Sequence, residues 1–120
     1  NNLNMEIARF QLEQEEIEVF TASNGKEAVE MFEASQPGFY DIILMDIMMP
    51  VMDGLEATRR IRSMNRGDAM TIPIVAMSAN AFQEDVEKSL AAGLNAHLTK
   101  PLDGKKVTET MKKYLGNKMR

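Results

Sequence analysis

Apolar residues along this chain follow two rhythms, a helical stripe and a short unbroken run, and the two alternate. Leu3, Ile7 and Phe10 form one stripe, and Met5, Ala8 and Leu12 form another beside it. They predict a first helix covered on much of its surface. Residues 17–22 predict a short strand. "SNGKEAVEMFEAS" then opens with a capping pair, Asn24 with Glu27 three residues on, and carries Ala28, Val29 and Phe32 on one face. Pro37 and Gly38 close that helix.

Residues 41–46 predict the next strand. Its apolar positions are continuous rather than alternating, which suits a strand covered on both faces, as in a parallel sheet. "MMPVMDG" is a loop, and Asp53 with Glu56 caps a helix bearing Ala57, Ile61 and Met64. "IPIVAMS" predicts a strand with its proline near the start, where a missing donor is tolerated. Asn80 with Gln83 starts a helix with Phe82, Val86 and Leu90 inward and Gly93 as terminator. "NAHLT" predicts a last short strand. After Lys100-Pro101, Asp103 opens a final helix with Val107, Met111 and Leu115 inward.

The order is one helix followed by four strand–helix pairs. Such alternation implies an α/β fold with a mostly parallel sheet and right-handed crossovers. Sheets of this kind place their sites at the carboxyl ends of the strands. Asp46, Ser78 and Lys100 each end a separate predicted strand, so the topology brings them to one rim. Taken singly, Asp46 reads equally well as a loop-starting cap, Ser78 as a turn residue and Lys100 as a surface lysine. Their shared position at three successive strand ends favours a site. An aspartate there can act as a nucleophile toward a phosphoryl donor. A lysine can neutralise the phosphoryl oxygens, and a serine hydroxyl can donate to one of them.

Bulk properties narrow the picture. The chain has 120 residues, suiting one domain over 1–120, with 44% hydrophobic and 27% charged residues. A net charge of −4 gives no overall reason to expect nucleic-acid binding. Lys105, Lys106, Lys112, Lys113, Lys118 and Arg120 cluster late and read as a solvated helix face, with partner docking as the sharper alternative. The chain has no cysteine, hence no disulfide or thiolate metal site, and a reducing, cytoplasmic setting is expected. No apolar stretch approaches the ~20 residues of a membrane span, and no signal peptide is visible. The 11 methionines are scattered, as core gap-fillers are.

Three stretches carry a family likeness: "DIILMDIMMPVMDGLEATRRIR", "IPIVAMSANAF" and "AAGLNAHLTKP". Together, and in this order, they resemble response-regulator receiver domains of two-component signalling, above all those fused to hybrid sensor histidine kinases. The resemblance implies a flavodoxin-like fold. It implies that Asp46 is the phosphoacceptor, Ser78 the hydroxyl that moves toward the phosphoryl group, and Lys100 the lysine that contacts it. It places a Mg²⁺ on Asp46 and the Met48 backbone carbonyl, makes Lys100-Pro101 a candidate cis bond, and puts His97 where many receivers carry a switch aromatic. The implied partner is a histidine kinase or histidine phosphotransfer protein.

The chain departs from the family at its start. Receivers begin with a strand ending in two adjacent acidic residues that hold Mg²⁺, and "NNLNMEIARF" resembles the text just after them. Four strands and five helices are therefore expected, with weak or absent Mg²⁺ binding, slow or no labelling of Asp46, and an open sheet edge inviting a dimer or strand exchange. Truncation, a strand borrowed from a second copy, and a degenerate receiver each fit. A non-phosphorylated interaction module is the competing function. A hydrolase working through an aspartyl phosphate needs a general acid/base close to the nucleophile; enzymes resembling the haloacid-dehalogenase family carry a second Asp two residues on, where this chain has Met48, so that reading is disfavoured. A flavin site is disfavoured too, since no strand is followed by a Ser/Thr/Gly-rich phosphate loop.

Overall fold

The structure is a computed structural model that describes residues 2–79 and 83–116. Five helices and three strands follow in the order α1 (Asn2–Gln14), α2 (Gly25–Ala34), β1 (Ile43–Asp46), α3 (Gly54–Arg62), β2 (Ile74–Ser78), α4 (Gln83–Ala92), β3 (Ala96–Thr99) and α5 (Gly104–Leu115). The strands form a parallel sheet in the order β1-β2-β3, with Asp46 opposite Met77 and Ser78 opposite Thr99.

Both faces of the sheet are covered, which is why its strands are apolar without alternation. Val75, Met77 and Leu98 point to one side and meet Ala8 and Leu12 of α1 and Val107, Met111 and Leu115 of α5. Met45, Ile74 and Ala76 point to the other and meet Phe32 of α2 and Ala57 and Ile61 of α3. All of β2 is buried.

The capping pairs act as their spacing predicts. Asn24 Oδ1 accepts from the Glu27 N–H at 2.8 Å, and Asp53 Oδ1 accepts from the Glu56 N–H at 2.8 Å. Asp103 caps α5 through the Lys105 N–H. Gly93, at φ +108, ends α4 as a left-handed terminator. Lys105, Lys106, Lys112 and Lys113 are exposed, a solvated face, while Lys118 and Arg120 lie outside the described residues.

Three expectations need correction. Residues 17–22 are not a strand, because among the described residues no partner lies alongside to complete a ladder. The segment keeps a strand's alternation, with Ile17 and Val19 half-buried and Glu18 and Phe20 exposed. Among the described residues the sheet thus has three strands rather than four. The first helix is covered on one face only: Ala8 and Leu12 are buried, while Leu3 and Phe10 are exposed. Of the stripe Leu3, Ile7 and Phe10, only Ile7 packs against the core. In α4 the inward positions are Ser89 and Ala92, and Leu90 is exposed. Small side chains let a helix sit close to its neighbour, a choice that hydrophobicity alone does not signal. Asn80 and Phe82 lie outside the described residues.

Candidate functional site

The three strand ends converge as the topology requires. Asp46 closes β1, Ser78 closes β2, and Lys100 follows Thr99 at the end of β3. Lys100 Nζ lies 2.8 Å from Asp46 Oδ2, an ion pair across 54 residues of sequence, with both side chains only 13% exposed. The Lys100 N–H donates to the Ser78 carbonyl at 2.7 Å, which ties the β3 end to the β2 end. The Lys100-Pro101 peptide is cis. His97 sits on β3 opposite Ala76, half-buried.

The second Asp46 oxygen, Oδ1, accepts from the Met48 N–H at 3.1 Å. The loop that follows is exposed at Met48 and Val51. Val51 has φ +70, costly backbone for a β-branched residue and of a kind that collects in functional loops. The sequence does not announce that strain.

Two glycines fix this loop, and neither was singled out as a site residue. A Cβ on Gly54 would run into the Asp46 carbonyl oxygen and the Met45 side chain. A Cβ on Gly25 would run into the Met52 carbonyl, which accepts the Gly25 N–H at 3.1 Å. The start of α3 and the start of α2 therefore press against the Asp46 loop from two sides. The "DG" at 53–54 was the available signal. On the opposite side Asn4 of α1, buried, accepts from the Leu102 N–H at 3.0 Å and so positions the turn that carries Lys100.

A carboxylate, a lysine ammonium and a serine at one rim can accept and hold a phosphoryl group. The model of the response regulator receiver domain matches residues 1–112. The chain belongs to that family. Receivers are signalling modules of two-component systems rather than enzymes of the usual kind. This receiver is 34% identical to probable histidine kinase 1 of Oryza sativa subsp. indica over 144 residues, covering 96% of the chain and 15% of the kinase. It is 34% identical to the polar-differentiation response regulator DivK of Brucella anthropi, covering 98% of the chain and 91% of DivK. Against rice histidine kinases it spans a small part of the relative's length, and against DivK nearly all.

A solved structure agrees. The receiver domain of a sensor histidine kinase from Pseudomonas aeruginosa PAO1, crystallised with a magnesium ion in its active-site cleft, superimposes with a TM-score of 0.84 at 34% identity, covering 98% of this chain and 92% of that one. The residues described here do not by themselves match such a cation site. Magnesium takes oxygen ligands and needs carboxylate charge to offset partial dehydration. Among the described residues no three His, Cys, Asp or Glu side chains converge, and both Asp46 oxygens already have partners in Lys100 and Met48. Among the described residues no helix is long and apolar enough to cross a membrane.

Proposed function

We propose that Asp46 accepts a phosphoryl group from a phosphohistidine carried by a histidine kinase or a histidine phosphotransfer protein in the cytoplasm. A carboxylate oxygen of Asp46 attacks phosphorus, the P–N bond of the phosphohistidine breaks, and its electron pair returns to the imidazole. Lys100 shifts from Asp46 Oδ2 to the phosphoryl oxygens, where an ammonium offsets charge that the carboxylate alone carried before. Ser78 supplies a hydroxyl donor at the neighbouring strand end. The exchange of Lys100 partners is the signal: it changes what holds β3 and the turn into α5, a local charge event biasing a larger element.

The observation that carries this reading is the 2.8 Å ion pair between Asp46 at the end of β1 and Lys100 just past the end of β3, reaching across the intervening strand β2. The names of the relatives support it, since they include histidine kinases and a response regulator. The test is incubation with a phosphohistidine donor, followed by intact-mass analysis and mapping of the adduct. Labelling at Asp46 that disappears in Asp46→Asn is the expected result, however slow the rate. No adduct in a folded sample would overturn it. That outcome would favour the second reading, a module that binds partners without phosphorylation, for which the absence of an acidic cluster beside Asp46 among the described residues speaks. Partner binding unchanged in Asp46→Ala would then complete the case.

A further inference from the structure

The face that α1 turns toward α5 is not wholly apolar. Asn4, Ala8, Gln11 and Leu12 recur at the spacing of one helical face, and two of the four are amides. Ala8 and Leu12 join the core formed with Val107, Met111 and Leu115. Asparagine is a poor helix former, and a buried amide costs free energy unless it is bonded. Asn4 is only 8% exposed, so its place in the helix needs a reason other than packing.

The reason lies in the turn after β3. Pro101 has no N–H, so Lys100 and Leu102 supply the donors on either side of it. The Lys100 N–H goes to the Ser78 carbonyl at 2.7 Å, which ties the turn to the sheet. The Leu102 N–H goes to Asn4 Oδ1 at 3.0 Å, which ties the turn to α1. One side chain of α1 thus holds the residue two places beyond the lysine that reaches Asp46. Gln11, about two turns further along α1, grips α5 in the same way. Its amide donates to Thr108 Oγ1 at 2.7 Å, and a Cβ on Gly104 would run into its side-chain carbonyl. Apolar contact has no preferred direction and lets one helix slide on another, whereas a hydrogen bond weakens steeply off its axis. The two amides therefore set the register of α1 along α5 and the turn.

We infer that Asn4 is a positioning residue for Lys100: its acceptor fixes turn 100–103 against α1 and so sets where the ammonium meets Asp46. The inference rests on Lys100 serving the phosphoryl site as proposed above, and it makes α1 part of that site's control. A displacement of α1 along α5 carries Leu102 with it. A misplacement of about an ångström at a reacting site is enough to change a rate by about a hundredfold.

The test follows Lys100 directly. With lysine nitrogens isotopically labelled, nuclear magnetic resonance gives the Lys100 ammonium signal, assigned by its loss in Lys100→Met. Asp46→Asn marks where that signal lies once the carboxylate charge is gone. Asn4→Leu keeps the size of the side chain and removes the acceptor. Its Lys100 signal should move most of the way to the Asp46→Asn position, and phosphoryl transfer to Asp46 should slow about tenfold. Asn4→Asp keeps the acceptor, so the signal should stay in place and transfer should remain within about twofold of the parent. Thr108→Val removes the acceptor of Gln11 at a half-buried position. It should move both readouts in the same direction by less, and it decides the matter if Asn4→Leu does not fold. Arg66→Ala, at the other end of the sheet, controls for lost stability alone and should move neither. An unmoved Lys100 signal in Asn4→Leu and Thr108→Val would overturn the inference. So would an equal movement in Arg66→Ala, or a displaced signal in Asn4→Asp. If no variant and no parent is labelled at Asp46, the phosphotransfer reading fails, while the Lys100 signal still decides the role of Asn4.

Discussion

The two ends of the sheet are held by contacts of opposite character. Where the strands begin, two arginines stitch loops together. Arg66 makes a bidentate pair with Asp68 at 2.6 and 3.0 Å, donates to the carbonyls of Phe32 and Ser35, and stacks on the Phe32 ring at 4.3 Å. Arg62 donates to the carbonyls of Gly93 and Ala69 and to Asn95 Oδ1, which also accepts from the first residue of β2, Ile74. Where the strands end, one lysine reaches one aspartate, beside a loop with an exposed, strained Val51. Planar guanidinium forks lock several acceptors at once, while an ammonium on a flexible stem is a point charge that can change partner. One end of the sheet is built to stay and the other to be rearranged.

Removing a fork should therefore cost stability, and removing the lysine should cost chemistry. Arg66→Ala removes the paired charge from Asp68 and a donor from the Phe32 and Ser35 carbonyls, and should destabilise by about 3 kcal/mol in urea unfolding. Labelling of the remaining folded protein should be unchanged. A loss under about 1 kcal/mol would erase the proposed contrast between the two ends.

Lys100→Met should do the reverse. Phosphoryl transfer to Asp46 should slow about 100-fold, the scale of losing one preorganised charge-stabilising group. Stability should fall by less than in Arg66→Ala, because the Lys100 ammonium holds one carboxylate where Arg66 holds several acceptors, and Asp46 keeps the Met48 N–H and borders a cavity that admits water. A large stability loss with an unchanged transfer rate would make Lys100 a structural strut like Arg66.

Gly54→Ala should fall between the two. The added methyl meets backbone at the Asp46 carbonyl, so the loop must shift, at a cost of about 2 kcal/mol. Transfer should slow as Asp46 moves. Gly67→Ala is the control, since a Cβ there meets open space. Equal melting temperatures for the two variants would show that the Gly54 contact is not limiting.

What could be read from the residues beforehand follows the range of the interaction. Asn24 with Glu27 and Asp53 with Glu56 are contacts over three residues, and both form as expected. Asp46, Ser78 and Lys100 were brought together by topology alone, since counting strands suffices to place strand ends on one rim. The failures depend on what packs from elsewhere. Leu90 and Phe10 satisfy a helical stripe, yet no element among the described residues covers them. Residues 17–22 have a strand's pattern, but a strand exists only if a second edge pairs with it. The arginine network is invisible in the sequence for the same reason: Arg66 meets Phe32 and Ser35 across more than 30 positions.

The smallest effect probes the fixed end by pH. Hydrogen bonds from Arg66, then the Gly38 N–H, hold the Asp68 carboxyl below its ordinary value of 3.8. A depressed folded-state pKa means that the charged form binds the fold better than it binds the unfolded chain. The contribution is complete above 3.8, and it is lost as pH falls from there through the lower folded value. Asp68→Asn keeps the side chain's size and removes that dependence. Melting temperatures of the two proteins should differ by a constant amount between about pH 7 and about pH 5, and the gap should shrink below about pH 4 as Asp68 takes up its proton. A gap that persists unchanged to about pH 3 would show that shape rather than charge holds Arg66 in place, and that the fixed end of the sheet does not depend on ionisation.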